Sequence, residues 1–152
     1  MNPSLATPAS PELDPLAEGP LAGVRAGQRE WELAADIDDR IRRGGFERPA
    51  FDTIVASGPN GAFPHARPGD RRLQAGDLVV LDFGGVYDGY CVDITRTVSL
   101  GEPGTEARRV YDAVAAAQMA AAGAVRPSAP VTDVDEAARA VLEARGLGPA
   151  FS

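Results

Sequence analysis

Two aspartates, Asp82 and Asp93, flank a tight turn in LVVLDFGGVYDGYCVDITRT, residues 78–97. With Asp88-Gly89 as a two-residue hairpin turn, Tyr87 pairs with Tyr90, Asp82 with Thr95, and Gly84 with Asp93. Directly paired residues project to the same side of a sheet. One face then carries Val79, Leu81, Phe83, Tyr87, Tyr90, Val92, Ile94 and Val98 and reads as core. The other carries Asp82, Gly84, Asp93, Thr95 and Thr97, with the two carboxylates diagonal neighbours about 7–8 Å apart at the backbone and able to converge at their tips. Gly84, lacking a side chain, is expected to leave room between them. Acids on such a face can simply be solvated. Converging like charges repel unless a cation sits between them, however, and Asp gains nothing as a strand former. Carboxylates that share divalent ions account for both features, because such ions activate water and polarise a carbonyl. Oxygen-rich ligation favours Mn or a related first-row ion over a thiolate zinc site.

His65 is the only histidine and lies in NGAFPHARPGD, a loop of turn formers ahead of Asp82. An imidazole changes charge near neutral pH, so beside two carboxylates it suits proton transfer or hydrogen bonding to a developing oxyanion. In isolation the same residue reads as a solvated loop side chain. Cys91 reads as a small filler near the turn, and Tyr90, Arg96 and Trp31 as structural.

These residues need elements to hold them. Between Gln28 and Arg43, the apolar residues Trp31, Leu33, Ala34, Ile37 and Ile41 recur at helical spacing before Gly44-Gly45. FDTIVAS, residues 51–57, is bounded by Pro49 and Gly58-Pro59 and predicts a strand. After the hairpin, TEARRVYDAVAAAQMAAAGAV predicts an Ala-rich helix with Val110, Tyr111, Val114 and Ala121 along one side. TDVDEAARAVLEARG predicts another, with Thr132 as N-cap, Asp135 three residues on and Gly146 as its stop. VRAGQREWELAADIDDRIRRGG and VRPSAPVTDVDEAARAVLEARG align without gaps at an offset of 101. That echo reads either as an internal duplication or as two amphipathic helices of similar build.

The chain has 152 residues, 44% apolar and 24% charged, which suits one domain with a modest core. Residues 1–20, rich in Pro, Ser and Ala, read as a disordered lead-in, with residues 21–152 as the folded part. The net charge of −7 and the absence of a basic run argue against nucleic acid or an anionic membrane as partner. All fifteen basic residues are Arg, which excludes Schiff-base, P-loop and kinase chemistry that needs a Lys. One cysteine allows no internal disulfide, and no apolar run approaches the ~20 residues that span a bilayer, so the expected setting is cytoplasmic.

SGPNGAFPHARPGD followed by LQAGDLVVLDFGGVYDGYCVDITRT resembles the M24 metallopeptidases, in particular their Xaa-Pro aminopeptidase and prolidase branch, from about Val24 to Phe151. The resemblance implies an α+β fold, the N-terminal part of a pita-bread architecture, with an antiparallel sheet and helices on one face. It implies that Asp82 binds one metal, that Asp93 bridges two, that Thr95 lies beside them and that His65 contacts substrate near the scissile bond. The expected cofactors are two divalent ions, Mn first, with Co, Zn or Fe as alternatives. The expected partners are a peptide substrate and, as an option, a second copy in a homodimer. Family members complete their site with a histidine in an HxxGHxxG-like stretch and two later glutamates, and no part of this sequence matches those motifs. The resemblance therefore implies a C-terminally truncated form of a metal-dependent exopeptidase acting beside proline, inactive by itself. A non-catalytic peptide- or protein-binding module of the same fold is the alternative.

Overall fold

The acid-rich start and basic end of EWELAADIDDRIRR suit a helix dipole, and helix α1 spans Glu30–Arg43 with Glu30 and Glu32 in its first turn and Arg40, Arg42 and Arg43 in its last. The Arg29 amide donates to Glu32 Oε2 (2.7 Å), closing the N-terminus. Gly45, at φ 93°, turns the chain away. A computed structural model describes residues 23–151, which divide into two compact units parting between Pro103 and Gly104. The proposed lead-in, residues 1–20, lies outside the described residues.

The expected antiparallel sheet is present as two three-stranded sheets. Strands β1 (Arg48–Pro49), β4 (Gly85–Tyr87) and β5 (Tyr90–Cys91) form one, in the order β1-β4-β5. Strands β2 (Ile54–Ser57), β3 (Leu78–Phe83) and β6 (Ile94–Ser99) form the other, in the order β2-β3-β6. The hairpin register matches the sequence reading, with Tyr87 opposite Tyr90 and Asp82 opposite Thr95. Asp88 and Gly89 both take positive φ, 48° and 76°, the geometry whose twist suits a two-residue hairpin. β1 was not foreseen: it is two residues long, one of them Pro. The strand expected over residues 51–57 pairs only from Ile54 onward.

Between the two sheets the ladder is interrupted at Gly84 and at Val92-Asp93. Here a sequence expectation fails. A Cβ on Gly84 would run into the Val92 carbonyl oxygen and lie 3.1 Å from the Phe51 ring, so the space beside Gly84 is already filled by this chain. Gly85 likewise admits the Phe46 ring, which a Cβ would overlap. The paired glycines thus permit close approach of backbone and aromatic ring, and do not open a gap for a ligand.

The alternation of β3 places Val79, Leu81 and Phe83 against α1, where they bury with Leu33, Ala34, Ile37, Ile41, Phe46, Val55 and Leu73. Val92, Ile94 and Val98 pack partly buried against this core, as their face predicts. Tyr90 does not. At the tip of the hairpin it is 62% exposed, because the core beneath the sheet ends before the turn. Trp31 is also partly exposed, its indole Nε1 donating to Asp70 Oδ1 (3.1 Å).

The second unit holds helix α2 (Thr105–Ala124) and helix α3 (Val131–Ala144). Ala113 and Ala117 bury against Leu142, with Ala138, Val141 and Leu147 around them. Small residues let two helices approach closely, so the alanines form the seam and the larger side chains of α2 point elsewhere. Tyr111 and Val114, expected on the packed side, are therefore about half exposed. The α3 N-cap is Pro130, with no side-chain cap from Thr132. α1 and α3 are each 14 residues long and stand 101 positions apart, and each is followed by a positive-φ glycine, Gly45 and Gly146.

Candidate active site

On the face of β2-β3-β6 away from α1, an open cleft of about 410 Å³ is lined by residues 51–54, the loop residues 65–68, and Asp82 and Asp93. The structure thus brings together the three side chains that the sequence singled out. Asp82 comes from the C-terminal end of β3, where pleat alternation turns it opposite to Leu81 and Phe83. Asp93 comes from the interruption between β5 and β6, held near the end of β3 by the close passage at Gly84. Thr95, cross-strand neighbour of Asp82, donates its hydroxyl to Asp82 Oδ1 (2.7 Å) and fixes that carboxylate.

The two acids face each other closely enough for a carboxyl–carboxyl hydrogen bond. Burial of the Asp93 carboxyl, the negative charge of Asp82 and that hydrogen bond all push the Asp93 carboxyl above its ordinary range. Although Asp93 as a residue is exposed, its carboxyl turns into the cleft. A proton shared by the pair lowers the repulsion, and a cation that takes oxygen ligands would offset both charges.

His65 stands on the exposed rim of the cleft. Its loop leaves β2 through a short 3₁₀ turn, Gly58–Ala62, and returns toward Leu73. Sequence reasoning missed what holds this loop. Glu30, the first residue of α1, is fully buried. It accepts hydrogen bonds from the Ser57 amide (2.8 Å), the Ser57 hydroxyl (2.7 Å), Asn60 Nδ2 (3.0 Å) and the Gly69 amide (3.1 Å). Burial alone raises the Glu30 carboxyl, but the Ser57, Asn60 and Gly69 donors together outweigh it and hold the carboxyl below the usual range. Arg71 Nη1 donates to Ser57 Oγ (2.7 Å), and the Arg71 guanidinium forks onto Asp77 (2.6 and 3.0 Å) just before β3. The segment lining the opposite wall is tied to α1 by Thr53 Oγ1 donating to Asp38 Oδ1 (2.6 Å).

Residues 16–152 match metallopeptidase family M24. The chain belongs to this family. The Xaa-Pro dipeptidase of Pyrococcus furiosus is 41% identical over 128 residues, 84% of this chain and 37% of that protein. The solved structure of an X-Pro aminopeptidase from Thermotoga maritima superimposes with a TM-score of 0.86 at 38% identity, covering 90% of this chain and 39% of that one. The dipeptidase PepE from Mycobacterium ulcerans gives 0.87 at 44% identity, covering 90% and 37%. The chain therefore spans under two fifths of the length of these relatives. Its α+β fold, with antiparallel sheets, is that of the pita-bread M24 prolidases.

The M24 chain's donors fit a divalent cation in type: two carboxylates on one cleft, one oriented by a threonine, offer hard oxygen ligands. In number they are few. Among the described residues no cluster of three or more His, Cys, Asp or Glu is placed to hold a metal ion. Also among them, no helix is long and apolar enough to cross a membrane.

Proposed function

We propose that this chain carries one part of a metal-dependent exopeptidase centre that cleaves N-terminal peptide bonds next to proline. The observation that supports this reading is that Asp82, Asp93 and His65 line one cleft. Asp82 and Asp93 would hold divalent cations, manganese first among them, with Asp93 between two ions. Such ions supply Lewis acidity toward a carbonyl and lower the pKa of bound water. Thr95 keeps the Asp82 carboxylate turned into the cleft. His65 donates a hydrogen bond to the carbonyl oxygen of the scissile bond, where negative charge develops during attack. The substrate is a peptide whose N-terminal residue precedes proline, in keeping with the Xaa-Pro names of the relatives. With two carboxylates and, among the described residues, no cluster of three ligands, metal binding is expected to be weak and hydrolysis by these residues alone is not expected. A cytoplasmic setting accords with the single, exposed cysteine.

Calorimetric titration of Mn²⁺ into the chain at neutral pH tests this reading. Saturable heat for the wild type and none for Asp82→Asn is the expected result. Equal saturable heat from the two proteins overturns the assignment of Asp82, and absence of heat in both overturns the metal reading in favour of a peptide-binding module of the same fold.

A further inference from the structure

We propose that Glu30 is the positioning residue for His65, its carboxylate closing the neck of the 57–69 loop and so fixing where the imidazole stands relative to Asp82 and Asp93. The inference deepens the proposed function and rests on His65 and the aspartate pair forming one centre. The loop leaves β2 at Ser57 and returns at Gly69, and one side chain takes hydrogen bonds from both ends. Oε1 accepts from the Ser57 amide and hydroxyl, and Oε2 from the Gly69 amide, while Asn60 Nδ2 lies within 3.0 and 3.1 Å of the two oxygens. A Cβ on Gly69 would lie 3.7 Å from Oε2, so the returning arm of the loop passes directly over the carboxylate. Backbone bonds from Glu30 N to Arg71 O (3.1 Å) and from Trp31 N to Gly69 O (3.3 Å) dock the same neck on the first turn of α1.

Beyond the neck, residues 61–65 are exposed, and within the loop Ala66 N bonds back to Phe63 O (3.2 Å). His65 thus has its place determined by where the neck is held. The same clamp extends toward the metal-binding side. The Ser57 hydroxyl donates to Glu30 and accepts from Arg71, and Arg71 forks onto Asp77, the residue immediately before the strand that carries Asp82. Glu30 therefore joins the histidine loop and the aspartate strand through Ser57, Arg71 and Asp77. A carboxylate is suited to this work because it accepts at both oxygens. Gln presents an NH₂ to one group of donors and leaves them facing another donor.

His65 is the only histidine, so its imidazole Hε1 gives a proton NMR signal that needs no assignment among histidines. The test compares that signal's broadening by Mn²⁺, and amide exchange across residues 58–69, in wild type and Glu30→Gln. The variant is expected to bind Mn²⁺ within about twofold of wild type while exchange in the loop accelerates about tenfold relative to β3 and β6. The Mn²⁺ broadening of the His65 signal is expected to fall severalfold. Glu30→Asp, which keeps the charge on a shorter arm, restores part of both readouts, and Asn60→Ala moves them in the same direction as Glu30→Gln but less. Unchanged loop exchange and an unchanged His65 signal in Glu30→Gln overturn the proposal, as does acceleration that is uniform across the sheet. Should Glu30→Gln fail to fold, Glu30→Asp and Asn60→Ala carry the same comparison. If the wild type binds no Mn²⁺, the metal reading fails, and loop exchange with the His65 linewidth of the metal-free protein still decides the role of Glu30.

Discussion

The neck of the histidine loop and the aspartate pair sit in the same unit, and each is built around acids, yet their electrostatics are opposed. At the neck, Glu30 is enclosed by Ser57, Asn60 and Gly69 donors, and its charge is satisfied from within the chain. At the pair, Asp93 meets the charge of Asp82, and the hydroxyl of Thr95 donates to one oxygen of Asp82. The direction of titration follows: the Glu30 carboxyl is held low and the Asp93 carboxyl is pushed high. An acid that the fold supplies with donors serves the fold. An acid that the fold sets against another acid costs stability, and a shared proton or a bound cation offsets that cost.

The pair is broken most severely from behind. Gly84→Ala forces a Cβ into the Val92 carbonyl, which precedes Asp93, so the strands must part and Asp93 is carried away from Asp82. We expect a loss of roughly 2–4 kcal/mol in urea unfolding, together with loss of Mn²⁺ binding.

The neck is tested by acid. Because the folded-state pKa of Glu30 is lowered, its contribution is present above the ordinary carboxylate value of about 4.3 and drains away as pH falls below that through the depressed value. Asp77, lowered against burial by Arg71 and the Gln74 amide, adds to the same slope. Glu30→Gln should therefore unfold at lower urea concentration at pH 7, by about 2 kcal/mol, and lose less further stability than wild type between neutral pH and about pH 3. An acid limb as steep as that of the wild type would contradict the assignment.

A milder change sharpens the contrast at the pair. Thr95→Val removes the hydroxyl that orients Asp82 while keeping β-branching in β6. Stability should shift by less than about 0.5 kcal/mol, whereas Mn²⁺ affinity should fall about tenfold by calorimetry.

Much of this contrast can be read from residue order, and the part that cannot has a physical cause. The hairpin register follows from Asp88-Gly89, because a two-residue turn fixes every pairing, and so Asp82 and Thr95 were already neighbours. The core of α1 followed from its 3.6-residue period, apart from Trp31, whose indole instead finds Asp70 across 39 residues of chain. Glu30 was illegible for the same reason. An acid in the first turn of a helix ordinarily answers the helix dipole, and nothing local says that a loop closes over it. Gly84 was misread because a glycine opposite an acid signals space, whereas the close passage of Val92 is a property of two strands. In α2, the stripe of Tyr111 and Val114 carried more hydrophobicity than Ala113 and Ala117, but close helix packing selects small residues over apolar ones.

Asp93→Asn with and without Mn²⁺ tests the central claim most directly, by thermal unfolding at neutral pH. Removing one of two facing charges, screened in part by solvent, should raise the melting temperature of the metal-free protein slightly, by a few tenths of a kcal/mol in stability. Saturating Mn²⁺ should then stabilise the wild type and leave Asp93→Asn unmoved, so that the order of the two proteins reverses. A variant less stable than wild type without metal, or equal stabilisation of both by Mn²⁺, would contradict a pair held together for a cation.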